Sequence, residues 1–144
     1  MSGFTILRPD EQEFAPPSWR PDEPTRRIVE LPLHATMRYS RAHLWRYPPG
    51  ATGRLHKENS QEEVFVVVEG NPAVMLGDPP VRHDAPVGTL VVVEPGTPLK
   101  WFNDSDGDAL IFAYGAPPES KPRSPNWRIS RATRLRPVLS GAGP

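Results

Sequence analysis

The stretch Gly50–Gly70, GATGRLHKENSQEEVFVVVEG, decides the fold. Its second half, Glu62–Glu69, carries Val64, Phe65, Val66, Val67 and Val68 in one run, framed by acidic residues and stopped by Gly70-Asn71-Pro72. β-Branched and aromatic residues at this density, closed by a glycine–proline turn, predict a strand. A half-exposed strand would alternate apolar with polar residues. Both faces here are apolar, so one is expected to fill a core and the other to meet a second sheet or a second subunit.

The same punctuation repeats on either side. Arg26–Leu31, Thr36–Tyr47, Ala73–Leu76, Thr89–Val93, Leu99–Asn103 and Ala109–Tyr114 read as further strands, separated by Pro48-Pro49-Gly50, Gly77-Asp78-Pro79-Pro80 and the acidic turn Asn103–Asp108. Pro95-Gly96 suits the centre of a type II turn, where glycine supplies the positive φ. The 20 prolines fall between the apolar runs. A proline inside a helix costs about 3 kcal/mol, so this spacing argues against long helices. Short strands at regular spacing predict an all-β sandwich or barrel.

A chain of 144 residues fits one domain. The expected organisation is a barrel over 25–115 with two arms. The N-terminal arm, 1–24, is rich in proline and offers Phe4, Phe14 and Trp19 for docking. The C-terminal arm, 116–144, is rich in proline and arginine. Seventeen basic and seventeen acidic residues balance, which gives no global pull toward nucleic acid or an anionic membrane. The absence of cysteine excludes disulfides, thiolate catalysis and cysteine-held metals. No basic start followed by an apolar run, and no long apolar segment, stands in the sequence, so a soluble cytoplasmic protein is expected.

Two segments carry a family resemblance. In Gly50–Gly70, a glycine is followed after five residues by His56, and six residues separate Glu63 from Gly70. This resembles the first cupin motif, with Glu58 standing where the family has its second histidine. Gly88–Asn103, GTLVVVEPGTPLKWFN, resembles the second cupin motif at Gly88, Gly96 and Asn103. Glu94 replaces a motif proline, and Leu99 stands at the third histidine position. The resemblance spans roughly residues 40–115. It implies a cupin double-stranded β-helix, a jelly-roll-like barrel, whose mouth collects the motif side chains.

On that resemblance His56, Glu58 and Glu63 are the catalytic and metal-ligating candidates, while Leu99, Trp101 and Asn103 are the ligand-contact candidates. Residues i and i+2 of a strand share a face, so His56 and Glu58 point the same way. One imidazole and two carboxylates make an oxygen-rich donor set suited to Mn²⁺, Zn²⁺ or Fe. Leu99 removes a fourth donor, so the expected cofactor is none or one weakly held divalent metal. Without metal, burial and like charge raise carboxylate pKa values, and the three groups suit general acid–base chemistry.

The expected function is therefore a small-molecule-binding barrel, either a metal-free lyase, isomerase or cyclase or an accessory binding protein. The alternatives are a metal-dependent oxygenase, isomerase or decarboxylase, and a purely structural dimerisation module. The expected partners are a small-molecule ligand and a second copy of the chain, with no nucleic acid and no membrane. Trp45, Tyr47, Phe65, Trp101 and Phe112 are candidates for a pocket wall or for plain core. His34, His43 and His83 read as structural or surface histidines, His83 on an exposed hairpin. Asn103–Asp108 is not an EF-hand loop, because Ala109 and Gly115 stand where it needs Gly and Glu; it reads as a hairpin turn.

Overall fold

The computed structural model describes residues 3–119. Eight strands follow in order: β1 (Arg27–Glu30), β2 (Arg41–Tyr47), β3 (Glu62–Glu69), β4 (Ala73–Leu76), β5 (Val81–Asp84), β6 (Leu90–Val93), β7 (Leu99–Phe102) and β8 (Ala109–Ala116). Among the described residues the helical elements are two 3₁₀ turns, Pro9–Glu11 and Leu31–Leu33. None of the described helices is long and apolar enough to cross a membrane.

The strands form two antiparallel sheets. One has the order β1-β2-β8-β3-β6, the other β5-β4-β7. Residues 50–58 extend the smaller sheet through bridges Thr52–Phe102 and His56–Leu99 along the free side of β7. The two sheets close on a core of Phe65, Val67, Val74, Val93, Leu99, Trp101 and Ile111, with Tyr47 and several alanines. This is the double-stranded β-helix that the sequence predicts.

Two local expectations are corrected and one strand is added. The strand expected from Thr36 begins at Arg41, because Leu31–Leu33 forms a 3₁₀ turn and residues 36–40 are a bent connection. Val81–Asp84, which has no strand-like periodicity and is exposed throughout, pairs with β4 as β5 and places His83 on an exposed hairpin. Asn103–Asp108 is not a hairpin turn: β7 pairs with β4 whereas β8 pairs with β2 and β3, so the segment carries the chain from one sheet to the other.

That crossover needs glycine at Gly70. Gly70 has φ +85°, and a Cβ there would run into the Asp108 carbonyl and lie 2.8 Å from Ala109 Cα. Both obstacles are backbone, so neither a rotamer change nor a small shift relieves them.

The N-terminal segment is docked along the barrel. Ala15 exchanges backbone hydrogen bonds with Ile28. The Ser18 hydroxyl donates to Glu30 Oε1 at 2.8 Å. Trp19 lies against His43 and Trp45, with ring centroids 5.6 and 6.1 Å apart. Phe14 receives the Arg46 guanidinium on its face at 4.4 Å, whereas Phe4 is exposed. The C-terminal arm from residue 120 onward lies outside the described residues.

Candidate functional site

Strand alternation decides what reaches the interior. On β2 the interior face carries Arg41, His43, Trp45 and Tyr47, since Tyr47 belongs to the core and successive side chains alternate. On β3 it carries Glu63, Phe65 and Val67, and on β8 Ala109, Ile111, Ala113 and Gly115. Phe112, expected as a wall residue, has the opposite parity and lies on the outer face with Leu44.

His56 is set by its pairing with Leu99. The His56 amide donates to the Leu99 carbonyl at 3.0 Å, and the Leu99 amide returns a bond at 2.8 Å. A directly opposed pair puts both side chains on one face. Leu99 is fully buried there, so an apolar wall stands beside the imidazole. Two residues on, the Glu58 carbonyl accepts from the Gly96 amide at 2.7 Å. Glu58 is buried, and its Oε2 lies 3.5 Å from His56 Nε2. Glu63 arrives from the other sheet. Donor atoms of His56, Glu58 and Glu63 all lie within 4.8 Å of one another. The site therefore straddles both sheets, and it forms only when they close.

The electrostatics differ across these three groups. His56 Nδ1 stands 2.9 Å from the Arg54 carbonyl, so in the neutral ring Nδ1 carries the proton and donates, leaving the Nε2 lone pair facing the carboxylates. Burial pushes the Glu63 carboxyl up to about 7; Arg41 pulls it down and Glu119 adds to the rise. Glu119 itself is held below its ordinary range. Burial opposes its ionisation, but the amides of Ser60 and Gln61 and the Ser60 hydroxyl donate to it.

Trp101 sits on the interior wall, 5.4 Å from Phe65 between ring centroids. Trp101 Nε1 and Glu63 Oε1 are buried with no hydrogen-bond partner among the described residues. Such atoms are rare in folded proteins and call for an explanation.

Asn103, expected to contact ligand, has a structural role instead. Its Nδ2 donates to the carbonyls of Tyr47 and Gly107 at 2.7 and 2.8 Å, and its Oδ1 accepts from the amide and hydroxyl of Ser105. All its hydrogen-bonding capacity is spent pinning the inter-sheet connection.

The donor set fits a divalent ion in part. Three donors converge and His56 Nε2 is correctly presented, but the neighbouring position belongs to Leu99, which has no donor atom. The arrangement suits weak holding of Mn²⁺ or Zn²⁺ by His56, Glu58 and Glu63. Sequence reasoning missed Arg41 and Gln61. The signal for Arg41 lies in RAHLWRY, where it shares parity with Trp45 and Tyr47.

A family model described as the cupin domain matches residues 43–114. No curated protein matches the chain. Solved structures that resemble it include the polyketide cyclase RemF from Streptomyces resistomycificus, with TM-score 0.71, 11% identity and 82% of each chain covered. KdgF from Halomonas sp. superposes with TM-score 0.67 and 17% identity over 81% of this chain and 96% of that one. A sugar phosphate isomerase of the cupin superfamily from Silicibacter pomeroyi gives TM-score 0.65 and 20% identity over 78% and 75%. At these identities the likeness is one of fold.

Proposed function

The chain belongs to the cupin domain family, and from that premise we propose that its barrel binds a small polar organic molecule, with His56, Glu58 and Glu63 as the reacting groups and at most a weakly held divalent ion. The observation that carries this reading is the convergence of the three donor groups on the interior beside Leu99. Leu99 and Trp101 form the apolar wall, and Trp101 Nε1 offers a donor to a ligand oxygen. Trp101 Nε1 and Glu63 Oε1, both buried with no partner among the described residues, support a ligand contact there.

The chemistry follows from the protonation states. Glu63, at about 7, is divided between acid and carboxylate at neutral pH, so it both gives and takes a proton. His56 accepts at Nε2, and Glu58 beside it stabilises the ring when protonated. This suits proton transfer in an isomerisation, elimination or cyclisation; the isomerase and cyclase among the structural neighbours have the same fold. A bound divalent ion would add Lewis-acid polarisation of a ligand oxygen.

A screen of small polar metabolites for thermal stabilisation tests the reading. At least one compound class is expected to raise the unfolding midpoint of the wild type and to leave a His56→Ala/Glu63→Gln variant unmoved. Stabilisers acting equally on both proteins would sink it.

The outer face of the larger sheet supports a homodimer. Val68, Leu90, Val92 and Tyr114 expose 51%, 70%, 65% and 39% of their surface on the side away from the core. An exposed apolar patch of this kind marks an interface, and a second copy supplies the covering side that the valine run of β3 calls for. Light scattering should give twice the chain mass for the wild type and the single mass for Leu90→Asp/Val92→Asp. A monomeric wild type contradicts this.

A further inference from the structure

We propose that Arg41 anchors an oxyanion-binding subsite inside the barrel and takes the carboxylate or phosphate group of a small ligand whose other end reaches His56, Glu58 and Glu63. The inference deepens the small-molecule reading above and rests on it.

Register places the residue. Arg41 opposes Gly115 of β8, and Gly115 opposes Glu63 of β3, so the three form one row across the sheet with Arg41 and Glu63 on the interior face. Gly115 is the gap in that row. Gln61 fills it: a Cβ on Gly115 would lie 2.5 Å from Gln61 Cδ and Oε1. Gln61 is buried and fixed by donation from its Nε2 to the Pro117 carbonyl at 3.1 Å. A clamped carboxamide thus stands between the guanidinium and Glu63. The two interact through space but form no ion pair.

Several other arginines of the fold are matched, although Arg27, Arg38 and Arg54 form no ion pair among the described residues. Arg20 and Arg26 reach Glu23, Arg46 reaches Asp108, and Arg82 reaches Asp84 and Asp104. Arg41 pairs with no described carboxylate, and its Nε is buried with no hydrogen-bond partner among the described residues. Glu119, the remaining nearby acid, is engaged by the amides of Ser60 and Gln61. A guanidinium is always charged and presents a rigid fork of donors, so an inward-facing one without a partner is complementary to a planar or tetrahedral oxyanion. Its separation from Glu63, with β8 lying between their strands, sets the ligand as a small molecule with an anionic end and a separate reacting end.

The experiment titrates malonate and, separately, inorganic phosphate into the full chain at constant ionic strength, following tryptophan fluorescence. Saturable binding of either anion is expected, and the one that saturates at lower concentration identifies the source of the oxyanion. Arg41→Gln should weaken that binding at least tenfold. Arg41→Lys keeps the charge and loses the fork, and should weaken it to a smaller but measurable extent; should Arg41→Gln fail to fold, unchanged affinity in Arg41→Lys overturns the proposal. So does a wild type that shows no saturable response to either anion, or an Arg41→Gln protein that folds and binds as before. Zn²⁺ titrated into Arg41→Gln separates the two claims. Retained Zn²⁺ binding leaves the His56, Glu58 and Glu63 site standing whatever the anion result.

Discussion

Replacing Glu23 by Gln should lower the stability of the folded chain by about 3–5 kcal/mol, the loss expected when a buried charge is left without its partner. The Glu23 side chain is 1% exposed and the Arg26 side chain 8%. Glu23 Oε1 accepts from Arg26 Nε and Nη2 at 3.0 and 2.7 Å and from Arg20 Nη1 at 2.9 Å, while Oε2 accepts from the amides of Thr25 and Arg26. The Arg26 guanidinium also donates to the Tyr47 hydroxyl at 3.3 Å and lies over the Trp45 ring at 4.7 Å. Removing the carboxylate strands that guanidinium against two aromatic rings. Glu23→Gln/Arg26→Met should be less destabilised than Glu23→Gln, because it removes the orphaned charge as well. Urea unfolding of the three proteins measures both effects.

The same group sets an acid limit. Burial favours the protonated acid, but the Arg26 guanidinium and the Arg26 and Thr25 amides outweigh it and bring Glu23 from its ordinary 4.5 to about 2. A depressed carboxyl contributes its stability in full above the unfolded value, and loses it as pH falls from about 4.5 through about 2. The contribution is on the order of 3 kcal/mol. Glu23→Gln should therefore flatten the wild type's loss of stability over that window. The ion pair lies close in sequence to Trp19, which packs against His43 and Trp45.

The second large effect concerns Zn²⁺ used as a probe of convergence. His56→Ala should weaken Zn²⁺ binding by more than about 100-fold, beyond the usual effect of losing a group that merely orients a ligand. With Leu99 at the neighbouring position, three donors are the whole described set, and removing the imidazole leaves two carboxylates. Glu63→Gln should act in the same direction, with a smaller effect because the amide oxygen still donates weakly. Calorimetric titration at fixed pH reads both. Binding that is indifferent to His56 would place the ion elsewhere.

Much of the fold was legible, and the reasons are local. β3 carries an uninterrupted β-branched and aromatic run from Val64 to Val68, and β8 is apolar throughout, with Gly70, Asp108 and Pro117 marking ends. β5, with Arg82, His83 and Asp84 all exposed, buries nothing and so carries no periodic signal. Turn residues say that the chain turns, not which sheet the next strand joins. For that reason the β7–β8 connection read as a hairpin. At the site, the separation of two between His56 and Glu58 placed both on one face, and the motif spacing brought in Glu63. Arg41 stayed hidden because both faces of RAHLWRY mix arginine with apolar residues, so composition alone does not orient β2. Asn103 was misassigned because a motif position does not distinguish a side chain that caps a turn from one that meets a ligand. Only its four hydrogen bonds do.

The most direct measurement is a crystal structure of the full chain grown with Zn²⁺, with data collected at the zinc absorption edge. The account predicts one anomalous peak inside the barrel, bounded by His56 Nε2 and carboxylate oxygens of Glu58 and Glu63, with Leu99 beside it. A peak held by other residues, or an interior in which these three side chains do not meet, would contradict it.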